Sequence, residues 1–343
     1  MPKIALPTGK SLGDGHPPYV SAEINTGHFG NMDLAIKAVE AARDAGCDCI
    51  KFQSWKPESL FTDKYLQEHR IERRMFERLS LDYAELKELA EHSASIGIDF
   101  CSTPYSFEEI DELVSLGNVP FVKIASMDIN NHEFLRYAAS TGVPIVLSTG
   151  MADMDEVRSG VEAVLSTGNS QLVLLHCTSV YPTADNELNL RNVEMFKTEF
   201  PSLVIGYSDH SLGVLASPVA VGMGAALLEK HFTLDKTKPG FDNSMALTVE
   251  ELRIFVEQCK LAGSMLGASS RHVSDAELKS RGYMRRSIYI SAPVKAGETL
   301  SREHLQLKRP AAGLGPDSLD HVIGRRVTVD MSEGDLLTED LLS

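Results

Sequence analysis

The sequence predicts a (β/α)8 barrel followed by a small β-rich module, and three observations predict it. From about residue 18 to residue 266 a short β-rich run, an amphipathic stretch and a turn recur. Every one of those β-rich runs ends on polar residues, where a buried strand should stay apolar. Beyond residue 283 the long amphipathic stretches stop and an internal repeat takes over.

In chain order, the strands are expected at residues 19–25 (YVSAEIN), 47–53 (CDCIKFQ), 99–105 (DFCSTPY), 121–126 (FVKIAS), 144–150 (PIVLSTG), 171–179 (QLVLLHCTS), 203–210 (LVIGYSDH) and 226–234 (ALLEKHFTL). Helices fall between them. In residues 31–46, Leu34, Ala35, Ala38, Val39 and Ala42 mark one helical stripe. Asn31, Asp82 and Ser106 are placed as N-caps, and Gly46, Gly97, Gly117 and Gly142 as the residues that stop helices. Strand and helix in alternation imply parallel strands joined by crossover helices. Eight such units in roughly 250 residues is the size of a closed barrel. A doubly wound open sheet competes, but no GxGxxG follows the first strand.

The barrel is assigned to residues 1–266 and a linker with a short helix to residues 267–283. Residues 284–343 form the small module, in which 294–305 (VKAGETLSREHL) aligns without gaps on 331–342 (MSEGDLLTEDLL). Gly297 matches Gly334, Leu300 matches Leu337, Ser301 matches Thr338 and Leu305 matches Leu342. Each copy reads as strand, glycine turn and Ser/Thr-capped helical turn. About 60 residues bury a meagre core alone, so docking onto something is expected.

Composition bounds the function. The chain has 343 residues with 33 Lys+Arg against 48 Asp+Glu, a net charge of −15, which argues against a nucleic-acid partner. No apolar run approaches the roughly 18 residues that would span a bilayer, and no leader is expected at the N-terminus. Five scattered cysteines read as free thiols in a reducing compartment, so the expected location is the cytoplasm.

The chemistry sits at the strand ends, where a barrel enzyme carries its site. Glu23 and Asn25, Lys51 and Gln53, Ser208 and His210, and Glu229 and His231 are each two residues apart, so each pair shares one strand face. Thr103, Lys123, Ser126, Ser148, Thr149, His176, Ser179 and Asp209 complete the set. Together they predict a polar, ligand-binding mouth. His210 and His231 end adjacent strands and either share a divalent metal or are hydrogen-bonded barrel residues. Lys51 and Lys123 lie inside apolar runs, so they either bind anions or form Schiff bases. With the hydroxyls of Thr103, Ser126, Ser148 and Ser208 they suit a phosphate plus a carboxylate. Glu23 is the candidate acid/base, unless it is merely paired with one of those lysines. The run HRIERRMFER (69–78) reads as a solvated helix, and His28, His92, His132, His272, His304 and His321 have no visible partner.

The segments SAEINTGHFG, KFQ, STPYS, KIAS, STGM, HCTSVYPT, GYSDHS, EKHFTLD and KRPAAG, in this order, resemble the sialic acid synthase family over nearly the whole chain. Residues 284–343 resemble its antifreeze-like (SAF) domain. The resemblance implies condensation of phosphoenolpyruvate with an N-acetylmannosamine-type sugar. It implies that Lys51, Thr103, Lys123, Ser126, Ser148 and Ser208 hold phosphoenolpyruvate and that His210 and His231 bind Mn²⁺ or Mg²⁺. Gln53, Tyr181, Glu229 and Asp242 would contact the sugar. A domain-swapped homodimer would bring Arg309 and Tyr283 from the partner copy. The chain departs from the family near the sugar: Ser179 stands where an asparagine is frequent, Gly27–Gly30 lacks the asparagine of NHxG, and residues 56–81 lack the family's asparagine-bearing segment. A diacetamido sugar of the legionaminic or pseudaminic type therefore stays open, as does, outside the resemblance, a class I aldolase using Lys123 as a Schiff base.

Overall fold

The structure is a computed structural model that describes residues 2–238 and 240–343. By its internal contacts the chain divides into two units, one ending at Gly267 and the other Ala268–Ser343.

The first unit opens with an antiparallel hairpin, β1 (Lys3–Ala5) and β2 (Ser11–Gly13), that the sequence reading did not foresee. Eight parallel strands follow: β3 (Tyr19–Glu23), β4 (Cys49–Ser54), β5 (Asp99–Pro104), β6 (Val122–Ile124), β7 (Ile145–Ser148), β8 (Leu172–Cys177), β9 (Val204–Asp209) and β10 (Leu227–His231). All eight lie within the expected spans, apart from a one-residue extension of β4. The sheet order is β5-β4-β3-β10-β9-β8-β7-β6, so its two outer strands are consecutive in sequence and the sheet curls into a nearly closed barrel. Across the seam the Cys101 thiol of β5 donates to the Phe121 carbonyl just before β6, at 3.3 Å.

Helices cover the outside. They are α1 (Met32–Asp44), α2 (Pro57–Leu60), α3 (Asp63–Glu68), α4 (Arg70–Leu79), α5 (Tyr83–Ile96), α6 (Phe107–Ser115), α7 (His132–Ser140), α8 (Met154–Leu165), α9 (Arg191–Glu199), α10 (Ala216–Gly222) and α11 (Val249–Leu266). Asn31, Asp82 and Ser106 cap α1, α5 and α6 by accepting from the backbone N–H three residues on. Ala35, Ala38, Val39 and Ala42 of α1 are fully buried against the barrel. Burying a side chain such as Val39 contributes about 1.5 kcal/mol or more. Inside, the barrel is apolar at one end only. Ile4, Leu6 and Leu12 of the hairpin segment pack with Cys49, Phe121, Val146, Val173, Val204 and Leu227, and so plug the end where the strands begin. The opposite end is left to polar residues.

In the second unit, α12 (Asp275–Met284) precedes the antiparallel pair β11 (Ser287–Ile290) and β12 (Leu305–Lys308), and α13 (Leu319–Val322) follows. The internal repeat has a structural counterpart. Both copies turn through a glycine at positive φ, 83° at Gly297 and 90° at Gly334, and both then enter a 3-10 turn. Val294 and Met331, equivalent in the two copies, bridge each other directly, and Leu300, Leu337, Leu305 and Leu342 share one core with them.

Candidate active site

Strand register assembles the site. Glu23 lies beside Lys51 on one side and His231 on the other, Gln53 beside Thr103, and Glu229 beside Ser208. Because alternate residues face inward, these side chains meet at the open end of the barrel around a cavity of about 520 Å³. The cavity is lined by most of the residues that the sequence reading placed in the barrel's mouth, among them Glu23, Lys51, Gln53, Thr103, Lys123, Ser126, Ser148, Ser179, Tyr181, Ser208, His210, Glu229, His231 and Asp242. Tyr283 and Arg309 belong to the second unit, where both are exposed.

At the floor, two ammonium and two carboxylate groups interlock, each 5% exposed or less. Lys51 is paired with Glu23 and lies 3.8 Å from Glu229, and its Nζ donates to Thr103 Oγ1 at 2.9 Å. Lys123 lies 3.8 Å from Glu229 and donates to Ser148 Oγ at 2.8 Å. Ser208 Oγ donates to Glu229 at 3.2 Å. Burial pushes the Glu23 carboxyl up to about 7, against the pull of Lys51 and with a further push from Glu229. Burial alone would raise Glu229 too, but Lys123 and Lys51 outweigh it and hold that carboxyl below its ordinary value. Lys123 is lowered by burial, with Glu229 opposing, whereas Lys51 is raised because Glu229 and Glu23 overcome its desolvation. Two ammonium groups thus offset two carboxylates at the floor, while Glu229 Oε2 is buried without a hydrogen-bond partner among the described residues. An arriving dianion would exchange places with the carboxylates around the same two lysines.

Two histidines stand above that floor. The His210 and His231 rings are 5.5 Å apart, with the Tyr181 ring 4.1 Å from His210 and 6.0 Å from His231. His210 Nδ1 lies 2.8 Å from the Thr178 carbonyl, which can only accept, so Nδ1 carries a proton; burial pulls this imidazole down, but the Cys177 thiol, that carbonyl and Glu229 outweigh it and raise it above its ordinary value. Burial, with His210 and Lys51 adding, holds His231 neutral. Asp242 lies 3.6 Å from His231 Nδ1 and is tied to the Asn25 side chain. Among the described residues no three His, Cys, Asp or Glu side chains form a metal shell. The donors fit an open site for a divalent ion, with the His231 imidazole, the His210 imidazole once Nε2 has lost its proton, and a nearby carboxylate, the rest coming from water or substrate oxygens.

Backbone geometry accommodates these groups. Gly150 donates its N–H to Ser126 Oγ at 3.0 Å, and a Cβ there would collide with the Ser126 and Ser179 hydroxyls. Asn25 and Met151, both on the cavity, hold positive φ of 45° and 65°.

Three strand-end residues expected in the mouth face the other way. His176 donates to or accepts from no cavity group; its Nε2 meets the Leu188 carbonyl at 2.7 Å and its ring stacks on Tyr207. Thr149 turns its hydroxyl back to the Leu175 carbonyl. Asp209, wholly buried, pairs with Lys230 at 2.9 Å and accepts from Ser211 and Ser217, which fixes the chain after His210. The cause is parity: Cys177, Ser208 and His210 take the inward positions.

Sequence reasoning missed the outer wall. Trp55, Phe61, Phe76, Tyr105 and Phe241 line the same cavity. Phe76 lies on α4, the run expected to be a solvated helix; α4 buries no residue fully, yet one edge of it borders the site. Glu109 was also missed. Buried at 1% exposure, it accepts from the Lys56 and Tyr105 backbone N–H groups and so fixes the chain beside Trp55 and at Tyr105.

Comparison with known proteins agrees with this geometry. Residues 38–271 match the NeuB family and residues 285–343 the SAF domain. The chain belongs to the NeuB family. It is 37% identical to the N,N'-diacetyllegionaminic acid synthase of Legionella pneumophila over 96% of this chain and 95% of that one. It is 32% identical to the N-acetylneuraminate-9-phosphate synthase of Mus musculus, over 98% and 96%. The crystal structure of the N-acetylneuraminic acid (sialic acid) synthetase from Leptospira borgpetersenii superposes with a TM-score of 0.75 at 30% identity, over 81% of this chain and 94% of that one. The NeuB chain described here is an enzyme of the transferase class. None of its described helices is long and apolar enough to cross a membrane.

Proposed function

We propose that this enzyme condenses phosphoenolpyruvate with an N-acylmannosamine-type sugar to give a nonulosonic acid and inorganic phosphate. The observation that carries the proposal is the floor. Two buried lysines share one carboxylate, are flanked by the hydroxyls of Thr103, Ser148 and Ser208, and open into the cavity that His210 and His231 line.

Lys51 and Lys123 would hold the phosphate and carboxylate of phosphoenolpyruvate, so that its methylene carbon faces the aldehyde of the open-chain sugar. That carbon forms the new C–C bond, the aldehyde oxygen takes up a proton, and positive charge develops at the carbon bearing phosphate. Water adds there. Glu23, raised to about 7 by burial, would accept the proton that this water loses. The tetrahedral species then breaks its C–O bond, phosphate leaves and a ketone remains, with no net oxidation. Tyr181, Gln53, Ser179, Asp242 and Glu229 line the side left for the sugar. His210 and His231 would hold Mn²⁺ or Mg²⁺, which supplies Lewis acidity towards a carbonyl oxygen. The family resemblance adds a domain-swapped homodimer, with Tyr283 and Arg309 reaching the sugar from the partner copy.

Phosphate release from phosphoenolpyruvate tests the proposal, with Mn²⁺ or EDTA, across N-acetylmannosamine, its 6-phosphate and 2,4-diacetamido-trideoxy hexoses. We expect metal-dependent release with one of them. Phosphoenolpyruvate labelled with ¹⁸O at the bridging position should deliver the label to the phosphate. Label kept in the organic product would disprove C–O cleavage. The competing Schiff-base use of Lys123 predicts that pyruvate and borohydride would trap that lysine; with Lys123 held against Glu229 and Ser148, we expect no adduct.

A further inference from the structure

The loops that follow β3 and β10 meet at one side chain. Asn25, two residues beyond Glu23, lines the cavity at 7% exposure and holds a left-handed backbone with φ of 45°. That region is uncommon for residues other than glycine, so the contacts of Asn25 must hold it there. Those contacts are two carboxylates. The backbone N–H donates to Glu23 Oε1 at 2.5 Å, and the side-chain Nδ2 donates to Asp242 Oδ2, 217 residues further along the chain. An ionised carboxylate only accepts, so the amide turns its nitrogen to Asp242 and leaves its own Oδ1 buried without a partner among the described residues. A buried acceptor without a donor costs stability. Backbone strain and an orphaned oxygen, both at one residue on the cavity, point to a place kept for function rather than for the fold.

What the amide secures is the Asp242 carboxylate. His231 Nδ1 lies 3.6 Å from the same Oδ2 that Asn25 holds, whereas Oδ1 takes no hydrogen bond among the described residues and the side chain is 17% exposed. Asp242 sits in the loop after β10. The other hydrogen bond from that loop to the loop after β3, among the described residues, is a longer one, from the Phe241 N–H to Thr26 Oγ1 at 3.4 Å. We propose that Asn25 is a positioning residue for the acceptor sugar: its amide fixes the Asp242 carboxylate so that Oδ1 accepts from a sugar hydroxyl beside His231. A free carboxylate oxygen suits a neutral, hydroxyl-bearing ligand and repels an anion, which assigns the contact to the sugar and not to phosphoenolpyruvate. That the ligand is a sugar rests on the condensation reading; the hold of Asn25 on Asp242 does not.

The experiment is a double-mutant cycle of Asn25→Gly and Asp242→Ala in the full-length enzyme, with N-acetylmannosamine and 2,4-diacetamido-trideoxy hexoses as probes. It is read as the sugar Kd by calorimetry and as the KM for each substrate in phosphate release. Glycine accepts the left-handed backbone and keeps the N–H that Glu23 accepts, so Asn25→Gly should fold with the melting temperature of the wild type. It should raise the Kd and KM for the sugar about tenfold and leave the KM for phosphoenolpyruvate unchanged. With Asp242→Ala already present, the same substitution should add no more than about twofold, because the two residues act as one. Fully additive effects, or a lower melting temperature with equal losses for both substrates, would mark a merely structural contact and overturn the inference. Sugar binding that follows the cycle without phosphate release would keep the role of Asn25 and remove the condensation reading. Phosphate release with a sugar KM unmoved by Asn25→Gly would keep the condensation and overturn the role. Neither binding nor turnover with any of these sugars would overturn both.

Discussion

The floor and the wall of the cavity are built by opposite means. The floor comes from strand residues, is almost wholly buried and pairs every charge: Glu23 with Lys51, Glu229 with both lysines. The wall comes from loops and from the short helices α2–α4. It is half-exposed at Phe241, and among the described residues the Trp55 indole N–H has no partner. A ladder of parallel strands fixes side chains in register, whereas loops tolerate exchange. On the proposed reading, the difference teaches that a strand-built floor can hold the anion while a loop-built rim is free to suit the sugar.

The strongest way to break this division is to remove a floor lysine. Lys123→Met should lower kcat/KM for phosphate release by about 10³-fold, the scale of losing a preorganised charge contact. It should also lower Tm, because Glu229 loses a buried partner. An active Lys123→Met enzyme would refute the floor as the anion site. Next comes His231→Ala, for which we expect a loss of about 10²-fold or more at limiting Mn²⁺, with the fold retained by circular dichroism. Full activity with unchanged metal dependence would remove both histidines from metal binding.

A third prediction concerns pH. Glu23 accepts a proton only as the carboxylate, and burial raises it to about 7. Activity should therefore fall as pH drops through about 7, approaching tenfold per unit below it. A limb near 4.5, the ordinary value, would assign the base to another group. The smallest expected effect belongs to the second unit. Arg309→Ala should weaken sugar use several-fold and phosphoenolpyruvate use hardly at all; equal effects on the two substrates would contradict its assignment to the sugar side.

The floor was readable from sequence because alternation within a strand carries side-chain direction. Glu23 with Asn25, Ser208 with His210, and Glu229 with His231 each fell on one face, and each pair lines the cavity. Where the strand is apolar on both faces, that signal fails. The run Leu172–Leu175 offers no alternation to fix parity, so His176 was placed in the mouth although Cys177 takes the inward position. The wall was not readable at all, since Trp55, Phe76 and Phe241 are far apart in sequence and meet only through tertiary packing. Within 69–78 the charged majority concealed the one ring that matters. The N-terminal hairpin escaped for a different reason. Its strands are three residues each, too short for periodicity, although Ile4, Leu6 and Leu12 around a Pro-Thr-Gly turn held the cue.

The division between floor and wall is tested most directly by calorimetric titration of phosphoenolpyruvate, without sugar, into the wild type, Lys51→Met and Phe76→Ala. The account predicts binding to the wild type, the same affinity in Phe76→Ala, and a loss of about 100-fold or more in Lys51→Met. Equal weakening in the two variants, or undiminished binding to Lys51→Met, would contradict it.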